Sequence, residues 1–203
     1  MNEYIYLAIT SIFLILILRW FLILIRKRFI NKYSFPDSVV INIKKAYPQL
    51  SDAEIDMISK ALKDYFYISY IVGNFHISMP SKIVSDFWQE FSSLNKEYKS
   101  FCKKAFGKNL EWLKAEGIEG IGIQTIWENA CILEDIDHII PDKLPILFKL
   151  DSLLEIENGF LYTLDCRKLD KQKNEYCAAK IMNSKFYGEI ESGYAHIHRE
   201  VYL

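Results

Sequence analysis

YIYLAITSIFLILILRWFLILIRKR, residues 4–28, decides the architecture of this chain. From Tyr4 to Ile25 nearly every side chain is apolar, and the run ends on Arg26-Lys27-Arg28. As a helix this stretch is about 33 Å long, enough to cross the hydrocarbon core of a bilayer. Its 15 Leu, Ile and Phe residues each favour insertion. Together they supply about 7 kcal/mol, against about 3 kcal/mol opposing it from a central arginine. The arginine is Arg19, six residues from Ile25, so its stem can carry the charge toward the nearer headgroups. Insertion wins, and residues 1–32 read as a single transmembrane anchor with a basic flank.

The flanks set an orientation. Only Met1, Asn2 and Glu3 precede the run, whereas Arg19, Arg26, Lys27, Arg28 and Lys32 lie within it or follow it. The positive-inside rule then places the amino terminus outside and the rest of the chain in the cytoplasm. A cleavable signal peptide wants a basic n-region, a shorter apolar core and a small-x-small site, and the stretch has none of these.

Residues 33–203 hold 20 Lys and Arg against 25 Asp and Glu, a net charge of −5. That sign argues against nucleic acid as a partner. The partners implied are the lipid bilayer, with anionic lipid at the Arg26–Lys32 cluster, and another membrane or membrane-proximal protein. The four cysteines, Cys102, Cys131, Cys166 and Cys177, show no C-x-x-C pair or zinc-finger spacing. In a reducing cytoplasm they are expected as free thiols, with Cys102 and Cys131 serving as small buried hydrophobes.

Helical periodicity dominates after the anchor, so the fold class is mainly α, with at most a short β element near residues 160–164. Residues 33–180 read as one helical globular domain and 181–203 as a C-terminal tail. Asp37 or Ser38 can cap a helix over 39–46 that Pro48 ends. Ser51-Asp52-Ala53-Glu54 is a capping box, and the helix it opens carries Ile55, Ile58, Leu62, Tyr65, Phe66 and Ser69 on one stripe before stopping at Gly73. Ser81 and Asn95 are the expected caps of two further helices, the second closed by Gly107. Residues 123–134 and 144–156 form two more, and Asn158-Gly159 marks a turn.

Candidate chemistries are thin. His196 and His198 could share a strand face with Cys166 or Cys177, but no spacing supports a metal site there. His76 reads as a hydrogen-bonded loop residue. Cys102 with Glu97 lacks an inward-facing base, and the carboxylate of Asp165 beside Cys166 would raise the thiol pKa. Asp135, Asp137 and Asp142 around His138 lack the glycine bend and terminal glutamate of a calcium loop. Gly117, Gly120 and Gly122 follow no strand and read as flexibility rather than a phosphate loop. No metal, cofactor or catalytic residue is therefore expected, and a binding role is preferred to catalysis.

The segments Met79-Pro80-Ser81, Val84, Asp86, Trp88, Phe101-Cys102 and Ala105-Phe106-Gly107 continue into Trp127, Ala130-Cys131, Leu144-Pro145, Leu150-Asp151 and Leu164-Asp165-Cys166. In that order they resemble uncharacterised bacterial membrane-anchored proteins related to the glycine-rich domain-containing family. That resemblance implies histidine directly after the tryptophan, a His-His-Pro-like segment after the Phe-Gly, and a Gly/Cys-rich tail. Here those positions read Gln89 and Glu111-Trp112, and the chain ends on a different sequence. The implied site has lost its histidines, leaving an aromatic groove of Trp88 and Trp112 with Gln89 and Glu111 at its rim. The expected function is a membrane-anchored cytoplasmic binding protein, an adaptor, regulator or immunity-type factor. The alternative is a membrane-tethered metal-dependent enzyme with a degenerate histidine site.

Overall fold

A computed structural model of the chain describes residues 2–73, 77–112, 114–115, 122–168 and 175–182. Its elements, in order, are α1 (Asn2–Lys32), α2 (Asp37–Ala46), α3 (Asp52–Val72), α4 (Lys82–Ser93), α5 (Asn95–Phe106), α6 (Ile123–Leu133), α7 (Ile146–Leu153), β1 (Leu161–Thr163), β2 (Glu175–Cys177) and α8 (Ala178–Met182). The chain is mainly helical, as its periodicity predicts. It divides into two compact units, Met1–Phe75 with Val84–Trp112, and His76–Ile83 with Leu113–Leu203. The anchor boundary at residue 32 falls inside the first unit, and α8 crosses the boundary drawn at residue 180.

In the first unit, α1 is a single 31-residue helix. Its apolar part, long and apolar enough to cross a membrane, is exposed along its length. Its last two turns belong to a core instead. Ile30 is fully buried, and the Phe29 and Tyr33 rings lie 5.7 and 4.6 Å from that of Phe101 on α5. Tyr33 also meets Phe35 and Phe91, and Phe35 meets Phe87 edge-on at 5.1 Å. Such aromatic pairs add about 1 kcal/mol each beyond the area they bury.

Helix α3 starts where the capping box predicts. The Ser51 hydroxyl accepts from the Glu54 amide, and the Glu54 carboxylate accepts from the Ser51 amide. It ends at Gly73, whose φ of 71° is the left-handed conformation that suits glycine. Successive contacts give its direction against α1. Lys63 Nζ reaches the Asn31 carbonyl at 3.5 Å, Lys27 Nζ lies 4.6 Å from the Tyr67 ring, and Arg26 Cζ lies 5.1 Å from the Tyr70 ring. Residue numbers rise on α3 as they fall on α1, so the two helices are antiparallel. Helix α5 runs the same way as α3, with Phe101 beside Tyr33 and the Phe106 carbonyl accepting from Arg26 Nη1 at 3.1 Å.

Two caps differ from expectation. Helix α2 begins at Asp37 after Pro36, and α5 begins at Asn95 after Leu94, in neither case with a side-chain cap. Asn95 therefore lies in the first turn of α5 rather than before it. The proline presets φ for a helix start, which makes a side-chain cap on α2 dispensable.

The second unit is organised by Asp151, a carboxylate 1 % exposed. It accepts four hydrogen bonds, from the Ser81 hydroxyl at 2.7 Å and from the amides of Lys82 at 2.7 Å, Ile83 at 3.1 Å and Phe160 at 2.9 Å. The first turn of α4 is thus capped by a residue 69 positions away, with Ser81 donating to the same carboxylate. A negative charge suits a helix amino terminus. Burial pushes the Asp151 pKa above the ordinary aspartate range, against the pull of its four donors. Around it, Trp127, Phe148 and Tyr162 stack edge-on at 5.1 and 5.0 Å, and the Tyr162 hydroxyl donates to the Pro80 carbonyl. The expected β element is β1, paired in parallel with β2, so that Leu161 faces Glu175 and Thr163 faces Cys177.

Asp151→Asn is expected to cost about 3 kcal/mol, because a carboxamide nitrogen cannot accept from the amides now aimed at it. Gly159→Ala should also destabilise, since an added Cβ would lie 2.8 Å from Asp151 Cβ and 3.0 Å from the Ile156 carbonyl. Urea unfolding in detergent checks both; losses below about 0.5 kcal/mol would contradict the role given to Asp151.

Candidate functional site

The four residues of the expected groove do not share one surface. Trp88 is fully buried in the aromatic core, between Tyr65 at 5.4 Å and Phe66 at 5.5 Å. Its indole N–H donates to the Tyr98 hydroxyl at 2.8 Å, which in turn donates to the Leu110 carbonyl at 2.8 Å. Trp112 is half-buried and donates from Nε1 to the Ser85 carbonyl at 2.9 Å. Gln89 and Glu111 are exposed. The two tryptophans are therefore fasteners: they hold the segment 110–112 against α4 and α5 through one buried relay and one direct hydrogen bond.

A buried relay of this kind resists removal of its middle member. Burial also raises the Tyr98 pKa well above its ordinary value, so the hydroxyl stays a donor throughout the physiological range. Tyr98→Phe would leave the Trp88 N–H and the Leu110 carbonyl without partners, at a cost of about 2 kcal/mol. Urea unfolding monitored by tryptophan fluorescence measures it.

The carboxylate loop after α6 is structural. Asp137 accepts from the amides of Ile139 at 2.8 Å and Ile140 at 3.1 Å, which lowers its pKa, and Glu134 accepts from the amide of Ile146 at the start of α7. The His138 carbonyl accepts from the Trp127 indole at 3.0 Å. Gly122, at φ 74°, packs against Ile77 as the residue before α6. His76, Gly117, Gly120, His196 and His198 lie outside the described residues. Among the described residues no cluster of three potential metal ligands occurs.

One open groove is lined by Ile25, Arg28, Phe29, Lys32, Tyr33 and Ser34, with a volume of about 470 Å³. Its cations belong to the Arg26–Lys32 cluster read from the sequence as a contact for anionic lipid; its aromatic side, Phe29 and Tyr33, was not singled out. The signal for the groove was the i, i+4 spacing of Arg28 and Lys32 at the end of an apolar helix.

The cysteines split into two pairs. Cys102 and Cys131 are buried free thiols, as expected, and burial pushes both pKa values up, that of Cys131 to about 12. Cys166 and Cys177 are joined as a disulfide with their Cα atoms 5.1 Å apart, which corrects the expectation of four free thiols. That expectation followed from compartment alone. The parallel pairing of β1 with β2, with the turn Cys166–Lys168 two residues beyond β1, is what brings the two sulfurs together. Denatured, unreduced protein should therefore titrate two thiols with Ellman's reagent and four after reduction, while native protein reacts slowly at neutral pH. Four thiols without reductant would rule out the cross-link.

No curated protein and no solved structure matches the chain. A family model does match, over residues 25–181, from the basic end of α1 to the end of α8. The chain belongs to the UCP032817-like family.

Proposed function

We propose that this protein is a single-pass inner-membrane protein whose carboxyl-terminal body lies in the cytoplasm and acts by binding another membrane or membrane-proximal protein, as an adaptor, regulator or immunity-type factor. The observation that carries this reading is the unbroken α1. A helix of 31 residues, apolar and exposed at one end and buried in an aromatic core at the other, fixes a folded body to a lipid-spanning rod. Confinement to a surface raises the effective concentration for a second surface-bound molecule without any new contact. The groups that chemistry would draw on are engaged structurally: Asp151 in four hydrogen bonds, Cys102 and Cys131 as buried thiols. Kinship with the glycine-rich domain-containing proteins is part of the same proposal and rests on the residue motifs of residues 79–166.

A second orientation is favoured by one observation. Disulfides persist in oxidising compartments, and Cys166–Cys177 is one. Five basic residues within or after the apolar run, Arg19, Arg26, Lys27, Arg28 and Lys32, weigh more, because they act on insertion itself.

Paired reporters at the carboxyl terminus separate the two orientations. A fused green fluorescent protein is expected to fluoresce and a fused alkaline phosphatase to stay inactive; the opposite pattern overturns the cytoplasmic placement. Full-length protein purified in mild detergent is expected to bring down a membrane-associated partner in fixed ratio. A preparation that binds none yet turns over a small molecule would contradict the binding role.

A further inference from the structure

We propose that the end of the first unit formed by the last turns of α3 and α5 around Arg26 is a membrane-docking face that takes anionic phospholipid headgroups. This rests on the reading of α1 as a membrane span and adds to it a second, peripheral contact with the same bilayer.

The level of that face follows from geometry. The apolar run of α1 stops at Ile25, and Arg26 is the first residue beyond it. The Arg26 guanidinium lies over Tyr70 of α3 and donates to the Phe106 carbonyl of α5, and a Cβ on Gly107 would come within 3.1 Å of it. Both helices therefore return to the height at which α1 leaves lipid. Three residues beyond Tyr70, Gly73 lies about 4.5 Å further along, level with the last apolar turn of α1.

The composition of the face matches that height. From Tyr65 to Val72, α3 carries no charged residue; Tyr67 and Tyr70 are half-buried and Ile71 is 40 % exposed. Tyrosine beside an exposed aliphatic is the make-up of an interfacial belt. Helix α5 presents exposed Lys103 and Lys104 in its last turn, and Lys108 follows. Arg26, Lys27 and Arg28 complete the cationic set, with Arg28 lining the open groove that begins at Ile25. Acidic residues open both helices, Asp52, Glu54 and Asp56 on α3 and Glu97 on α5, with Asp64 further along α3 and Lys96 and Lys99 beside Glu97. A helix dipole alone accounts for lysines at the end of α5. It does not account for an exposed isoleucine and two tyrosines in the last turns of α3. Basic residues at a membrane surface attract anionic lipid, and this face holds them where the headgroups would be.

The test uses the full-length chain in vesicles of phosphatidylcholine with and without phosphatidylglycerol. An environment-sensitive fluorophore is attached in turn to Leu24→Cys, Ile71→Cys and Ile41→Cys, and quenching by headgroup-level spin-labelled lipid is measured. Leu24 reports the anchor and Ile41, exposed on α2, reports the far side of the unit. The expected result is strong quenching at Leu24 and Ile71 but not at Ile41. Phosphatidylglycerol should increase the Ile71 signal, and Lys103→Gln with Lys104→Gln should abolish that increase while leaving Leu24 unchanged. Quenching at Leu24 with Ile71 no different from Ile41 overturns the docking face and leaves the anchor standing. Quenching at none of the three overturns the anchor reading and this proposal together.

Discussion

Packing of Phe29, Ile30 and Tyr33 against the aromatic core is the contact on which the first unit depends. An apolar helix with an ordinary linker would hold its body on a leash, free to tumble. Here the helix does not end where its grease ends. It runs two further turns into a core built by α3, α4 and α5, with Ile30 fully buried and Tyr33 ringed by Phe35, Phe91 and Phe101. Tilting the body against α1 would break these ring contacts at once, because a close-packed interior has few intermediate arrangements. The basic residues of this stretch serve two purposes. Arg26 and Lys27 fold back over Tyr70 and Tyr67, whereas Arg28 and Lys32 line an open groove.

The second unit relies on a different device. Its organiser is a single buried carboxylate with no cation beside it among the described residues. Asp151 is held by four donors from two segments, residues 81–83, some 70 positions away, and Phe160, nine positions on. An ion without a counter-ion is costly to bury, and full hydrogen bonding offsets much of that cost. Close packing of Gly159 against the Asp151 side chain leaves the site little room to relax. The Cys166–Cys177 disulfide then fastens β1 and its following turn to β2.

Much of this was legible in the residues. The apolar run, the capping box at Ser51, the stop glycines at 73 and 107, and the stripe on α3 are local signals, and each appears where its chemistry predicts. What escaped was set by distant partners. Nothing near Ser81 says that a carboxylate 70 residues away will accept from it and from the first amides of α4. Nothing in the spacing of Cys166 and Cys177 says that two short strands will pair in parallel. The candidate groove failed for a related reason. Aromatic side chains at helical spacing carry the same signature whether they line a cleft or fill a core, and Trp88 fills the core. Only the hydrogen-bonded relay through Tyr98 to Leu110 distinguishes the two, and that relay joins elements the sequence leaves apart.

The central claim, that α1 passes without a break from lipid into the folded core, is tested most directly by amide hydrogen exchange on the full-length protein in lipid nanodiscs. The account predicts that the amides of residues 26–32 exchange as slowly as those of the buried stripe of α3, because both open only when the unit unfolds. Exchange across 26–32 as fast as in an exposed loop, with α3 still protected, would show a flexible tether and contradict it.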